Sequence, residues 1–260
     1  MESFDQIPIE LAYVLTVAFA LLSSEIGYRF GLWLHKRNPE LKKDSSTGAL
    51  VGALLGLLAF LLAFSTGYTL DQFQKRRALV VADANAIGTA YLRADYLDEK
   101  QGNEAKELLS EYINLRLSPI DEITLDAFLI RTEAIQNSLW DIAVTEGRKH
   151  PTSVIVSLYG EAINDLIDVH GSRLAVVKGS RLPTLAWLML YGIVFVSFLL
   201  VGVASSVDGN RNFFTLVLFA LGFATVLMLI TDLDRPQEGL LQVSQGALEG
   251  LQQQISNFVQ

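Results

Sequence analysis

The chain has 260 residues, 51% of them hydrophobic and only 18% charged, with a formal net charge of −8. Soluble domains carry about 25% charged residues, and here the apolar residues fall in blocks, which points to lipid rather than to one large soluble core. The acid is concentrated in the middle of the chain, which argues against a nucleic-acid partner; the lack of cysteine excludes disulfides, thiolate metal sites and thiol catalysis.

The N-terminal MESFDQIPIE has no Lys or Arg ahead of the first apolar run, which predicts a retained span rather than a cleaved signal. A helix needs about 20 mostly apolar residues to cross a bilayer. Four stretches meet that requirement, at 9–34, 49–70, 183–204 and 213–230. Their linkers, HKRNPELKKDSST and SSVDGNRN, divide them by sequence into two pairs. Trp33 and Trp187 fall near span ends, where amphipathic rings settle.

Between the pairs, EAKELLSEYINLRL and DAFLIRTEAIQNSLWDIAV repeat apolar residues at i, i+3, i+4 and i+7, the helical period. Pro119 separates them, Asp121 or Thr124 is placed to cap the second, and Pro151 suits the first turn of a further helix. No strand pattern persists. The predicted fold is therefore all-α: a polytopic membrane protein with four transmembrane helices and a helical extramembrane domain between spans two and three. The expected divisions are 1–70 for the first helix pair, 71–182 for the extramembrane domain, 183–231 for the second pair and 232–260 for an amphipathic tail helix. That tail is expected to lie on the membrane or against its own domain.

The second span is the most informative. No proline falls between Gly48 and Leu97, so its helix is expected to leave the membrane and continue as a rod. Gly48, Gly52, Gly56, Ala59, Ala63 and Gly67 follow at steps of four or three, forming a seam of small residues on one side. In lipid such seams let helix backbones approach closely. The partner is either another span of the same subunit or a neighbouring subunit. Phe60, Phe64 and Tyr68 form an aromatic stripe on an adjacent face. Around an axis, copies of this stripe would make an apolar neck able to gate by dewetting; the plainer reading is a lipid-facing or core aromatic face. Lys75, Arg76 and Arg77 follow as a basic collar, either an interfacial anchor or the lining of an anion-attracting vestibule. Ala82, Ala86, Ala90 and Ala94 continue the small-residue packing, and Asp83, Asn85 and Arg93 must find partners if buried.

Other polar groups were weighed for sites. Glu25 and Arg29 have helical ion-pair spacing in the last third of the first span. Glu161, Asp165 and Asp168, with His170 nearby, share a face that a hard cation would suit or that water would solvate. Asp232 and Asp234 follow the fourth span, with Arg235 as a candidate partner. No nucleophile elbow, phosphate loop or HExxH helix occurs, and the three histidines are scattered, so no enzyme, cofactor or metal is expected.

RRALVVADANAIGTAYLRAD following GALLGLLAFLLAF, and later TDLDRPQEGLLQVSQGAL, resemble the marked segments of a bestrophin-like family of bacterial membrane proteins of unknown function. The resemblance implies kinship with the bestrophins, pentameric anion channels whose second span lines the pore with an aromatic-rich neck. Phe60, Phe64 and Tyr68 match that neck in pattern. The dense acidic calcium-binding run of animal bestrophins is absent. The expected function is an oligomeric, anion-conducting channel of a bacterial inner membrane, with lipid, inorganic ions and further copies of the chain as partners. The alternative is a non-conducting, membrane-anchored sensor or scaffold. Kinship with the bestrophins places the helical domain in the cytosol; Lys36, Arg37, Lys42 and Lys43 in the first linker pull the other way.

Overall fold

The computed structural model describes residues 7–37, 46–118, 124–179, 181–208, 212–235 and 239–258. Eight α-helices occur among them: α1 (Ile9–Arg37), α2 (Ser46–Arg93), α3 (Glu99–Leu117), α4 (Leu125–Lys149), α5 (Val154–Gly179), α6 (Thr184–Asp208), α7 (Phe213–Asp234) and α8 (Gly246–Phe258). A 3-10 turn, Ala94–Tyr96, ends α2. Four helical stretches are long and apolar enough to cross a membrane: Ile9–Arg37, Gly48–Tyr96, Thr184–Val207 and Phe213–Asp234. Their places match the expected spans, and α2 runs on unbroken well past the length a bilayer requires.

The chain divides into two compact units, Met1–Phe73 with Ser180–Gln242, and Gln74–Gly179 with Val243–Gln260. α2 contributes to both. The division differs from the sequence-based one at the C-terminus, because α8 belongs to the second unit rather than standing alone.

In the first unit, α1 lies along α6 and also touches α7. The pairing in space is thus not the pairing in sequence. The contact between α1 and α6 depends on three glycines. A Cβ on Gly27 would stand 1.9 Å from the Leu199 carbonyl oxygen, one on Gly202 2.0 Å from the Ser24 carbonyl oxygen, and one on Gly31 2.0 Å from Ser206 Oγ. Small residues let the backbones meet where lipid supplies little hydrophobic drive. Thr16 and Tyr191 add a hydroxyl–hydroxyl bond of 3.0 Å between the same two helices. Leu58 and Leu62 of α2 join Ala20, Leu190, Val194, Phe198, Ala220 and Leu227 in the apolar core of this unit.

In the last turn of α7, Asp232 is buried and its two carboxylate oxygens accept from the N–H groups of Leu240 (2.7 Å) and Leu241 (3.0 Å). Gly239 permits that return with a φ of 142°. Asp234 Oδ1 accepts from the Leu182 N–H at 2.8 Å, pinning the entry to α6. The two aspartates therefore tie down chain. An ion-binding role for Asp232 is unnecessary, because its oxygens are already engaged.

The second unit packs the polar-faced helices α3, α4, α5 and α8 with the second half of α2. Val80, Ala84, Ile87 and Ala90 of α2 meet Leu109 and Ile113 of α3, Leu139 of α4, Tyr159 and Ile163 of α5, and Leu248 and Ile255 of α8. The tail helix thus covers its own unit with its apolar face, the second of the two expected placements. Thr124 caps α4, its Oγ1 accepting from the Ala127 N–H at 3.3 Å; Pro119 and Asp121 lie outside the described residues. Pro151 lies ahead of α5 in a turn, and Ser153 Oγ takes the capping role by accepting from the Val156 N–H at 3.4 Å.

Candidate functional site

Within the first unit α2 has two unlike sides. Leu58 (0% exposed), Leu62, Ser65 and Thr69 (0%) are buried. The Thr69 hydroxyl donates back to the Ser65 carbonyl at 3.1 Å, so it asks nothing of a neighbouring helix. A second side, about a third of a turn away, carries the small-residue seam. Gly48, Gly52, Gly56, Ala59, Ala63 and Gly67 are all exposed, and a Cβ on any of the four glycines would meet no atom within 4 Å. Intrasubunit packing of these glycines, one of the two expected readings, has no contact to support it. Phe60 and Phe64 beside the seam are 66% and 70% exposed, while Tyr68 turns half-buried toward the apolar core. At 3.6 residues per turn, Tyr68 has rotated off the line of the two phenylalanines toward the packed side. The aromatic stripe therefore divides.

Alongside, an apolar groove of about 420 Å³ lies between α2 and α7, lined by Ala59, Leu62 and Ala63 on one side and Leu218, Phe219, Gly222, Phe223 and Val226 on the other. Phe219 and Phe223 meet edge to face at 4.9 Å along its wall.

The basic collar divides too. Lys75 and Arg77 are exposed, but Arg76 is buried, only 7% accessible. Helical geometry fits this: Arg76, Val80 and Asp83 follow at steps of four and three, on one side of the helix, and all three are buried. Arg77 stands 18 residues, or five turns, beyond Ala59 and so on the seam's own side of the helix. Of the expected trio, Lys75 and Arg77 are exposed and Arg76 is buried.

Asp83, expected to need a partner, is fully buried and accepts from Arg173 through Oδ2; Arg116 Nε lies 3.4 Å from the same oxygen. Arg116 also donates from Nη2 to the Tyr112 hydroxyl (2.5 Å) and to His170 Nδ1 (2.6 Å). Gln136 Nε2 donates to the same hydroxyl at 3.2 Å. The Arg116 guanidinium lies over the Tyr112 ring at 4.6 Å and the Phe128 ring at 5.4 Å. Four helices thus meet in one polar core. Burial, then the neighbouring Arg116 and Arg173 charges, push the His170 pKa down to about 4. Burial raises Tyr112, against the opposing pull of Arg116. Tyr159, fully buried in the apolar core, is also pushed up by burial.

Arg93 donates to the Leu158 carbonyl at 2.6 Å and lies 3.6 Å from Glu161, while Asn85 is exposed. Glu161 is thus paired, Asp168 accepts from Asn164, and His170 faces Arg116, so the acidic face expected to suit a cation does not converge. Ligand atoms do converge elsewhere: those of Asp98, Glu146 and His150 lie within 4.8 Å of one another. The Lys149 ammonium already sits there, 2.6 Å from the buried Glu146 and 3.4 Å from Asp98. Its hydrogen bond to Glu146 raises the Lys149 pKa. Glu25 and Arg29 pair at 2.8 Å as their spacing predicts.

Sequence reasoning missed Arg116, Arg173 and Tyr112 as partners of Asp83, and Gly27, Gly31 and Gly202 as the close helix crossing. Tyr112 with Arg116 at i, i+4 and His170 with Arg173 at i, i+3 were visible as same-face pairs. The crossing glycines were visible only as small residues at four-residue spacing.

Apolar helices around a helical unit, in this order along the chain, define a polytopic membrane protein of the bestrophin fold. The model of the bestrophin-like domain matches residues 17–248, and the chain belongs to that family. A crystal structure of a bestrophin homologue from Klebsiella pneumoniae, carrying a leucine-to-threonine mutation, is similar over 96% of this chain and 98% of that one, at 15% identity and a TM-score of 0.68. Two crystal structures of a membrane protein with proline-to-alanine changes are similar at 14% identity, with TM-scores of 0.70 and 0.69. Each covers 96% of this chain, and 97% and 98% of the matched chains. No curated protein matches the sequence.

Proposed function

We propose that the chain is one subunit of an oligomeric ion channel, anion-conducting, in which α2 lines the pore. One observation supports the reading: among the described residues, the four glycines of the α2 seam meet no atom within 4 Å of an added Cβ and Phe60 and Phe64 are exposed, although Leu58, Leu62, Ser65 and Thr69 of the same helix are buried. A glycine-rich helix face costs conformational entropy without return unless something approaches it closely. Copies of α2 about an axis would use that side, setting Phe60 and Phe64 as apolar rings at the narrow point. Arg77, on the same side and exposed, would raise the local anion concentration at one end, with Lys75 nearby. Family kinship suggests five copies, an inner-membrane location and a cytosolic second unit lying outside the bilayer.

Purified protein in liposomes should pass chloride, and Phe64→Ala should increase the flux several-fold by removing a dewetting constriction. Absence of flux for chloride, sodium and potassium alike would overturn the reading. Mass measurement in detergent gives an independent check, since a monomer leaves no axis. Protease protection in spheroplasts fixes the side on which the second unit lies.

A further inference from the structure

The polar core of the second unit holds a histidine in an arrangement that only one of its protonation states satisfies. Arg116 Nη2 lies 2.6 Å from His170 Nδ1. A guanidinium has donors and no lone pair to offer. Nδ1 must therefore be the acceptor, which requires a neutral ring protonated at Nε2. The charge around it is equally one-sided. Among the described residues, the charged or titratable groups gathered here are Asp83 from α2, Tyr112 and Arg116 from α3, and Arg173 from α5 beside His170 itself; α4 contributes the neutral Gln136. Two guanidiniums already share one carboxylate. The side chain of Asp83 is fully buried and that of Arg116 is 5% exposed, so water screens neither.

We propose that His170, Asp83, Arg116 and Arg173 form a proton-released latch that holds α3 and α5 against the second half of α2. A proton taken up at Nδ1 turns the acceptor into a second donor facing Arg116, so the 2.6 Å hydrogen bond is lost. It also places a third positive charge against a single carboxylate. No covalent bond changes. Relief comes when α3, which carries Arg116, and α5, which carries His170 and Arg173, part from Asp83 and let water reach the ring. The half of α2 released in this way continues the same helix that bears the seam. The latch itself stands on the second unit's contacts and does not depend on conduction.

The test is hydrogen–deuterium exchange on the full chain in detergent, from pH 7.5 to 4.5, corrected for the intrinsic pH dependence of exchange. A neutral His in the latched form, with a pKa near 4 against 6.5 when released, binds its proton better when open. Opening of α3 and the C-terminal half of α5 should therefore grow by up to about tenfold per pH unit below 6.5, about 70-fold between pH 7.5 and 4.5. His170→Gln keeps an acceptor for Arg116 but cannot take the proton, and its opening should be flat over the same range. An equal rise in the His170→Gln chain would assign the effect to carboxylates and overturn the latch, as would a flat profile in the wild type. Exchange at the histidine C2 position, followed by mass spectrometry, reads His170 directly in the unmodified protein. A folded-state pKa at or above 6.5 there would refute the proposal even if the variant failed to fold.

Discussion

Two sets of glycines on apolar helices make opposite demands, and exchanging one for alanine in each set separates them. A methyl on Gly27 would lie 1.9 Å from the Leu199 carbonyl oxygen, 2.7 Å from its carbon and 2.9 Å from its Cα. All three are backbone atoms, so no side chain can swing aside. Ordinary contact starts near 3.5 Å, which obliges α1 and α6 to separate by more than about 1 Å. That opens the Gly31 and Gly202 approaches and weakens the Thr16–Tyr191 bond on the same pair of helices. Overpacking of this kind costs typically ~1–3 kcal/mol, and a rigid backbone partner puts Gly27→Ala at the upper end. Gly56→Ala meets no atom within 4 Å among the described residues, and replacing glycine by alanine in a helix gains about 1 kcal/mol. Thermal unfolding in detergent, followed by circular dichroism with the subunit held monomeric by dilution, should drop for Gly27→Ala and hold or rise for Gly56→Ala. If the seam forms the subunit contact proposed above, Gly56→Ala should instead lower the mass measured by light scattering. Equal stability of the two variants as monomers would refute the close α1–α6 approach. An oligomer indifferent to Gly56→Ala, and to bulkier residues there, would remove the seam from the subunit contact.

Two further substitutions probe single devices of the fold. Thr124→Ala removes the side-chain acceptor for the Ala127 N–H at the start of α4, and should destabilise the second unit by about 1 kcal/mol in urea titration, with Thr124→Ser close to wild type. Gly239→Ala forces an L-residue into a φ of 142° and puts its methyl 2.2 Å from Asp232 Oδ1. It should lower the melting midpoint through a cost of about 1–3 kcal/mol. In the background of Asp232→Ala, which has no carboxylate to meet, the same change should cost less, and a double-mutant cycle reads the difference.

What the sequence made legible follows from the range of the interaction involved. Four apolar runs and the helical period of the middle region are local properties, and the helices fall where those patterns place them. The small-residue seam on α2 is local too, because spacing alone fixes which residues share a side. Its partner is not a local property. Gly27 and Gly52 look alike in the sequence, yet a Cβ on one would meet a carbonyl group and on the other nothing within 4 Å among the described residues. The polar core shows the same divide. Asp83 could be marked as needing a partner because it interrupts an apolar face, a single-helix observation. Its partners come from positions 116 and 173, on two other helices, and both are arginines that any surface could have claimed. Arg76 illustrates the reverse case. Grouping it with Lys75 and Arg77 followed adjacency along the chain, whereas burial followed the helical period it shares with Val80 and Asp83. A helix turns each successive residue by about 100°, so a run of three cations cannot line one surface, and the middle one here is buried. At this level α2 therefore exposes Lys75 and Arg77 and buries Arg76.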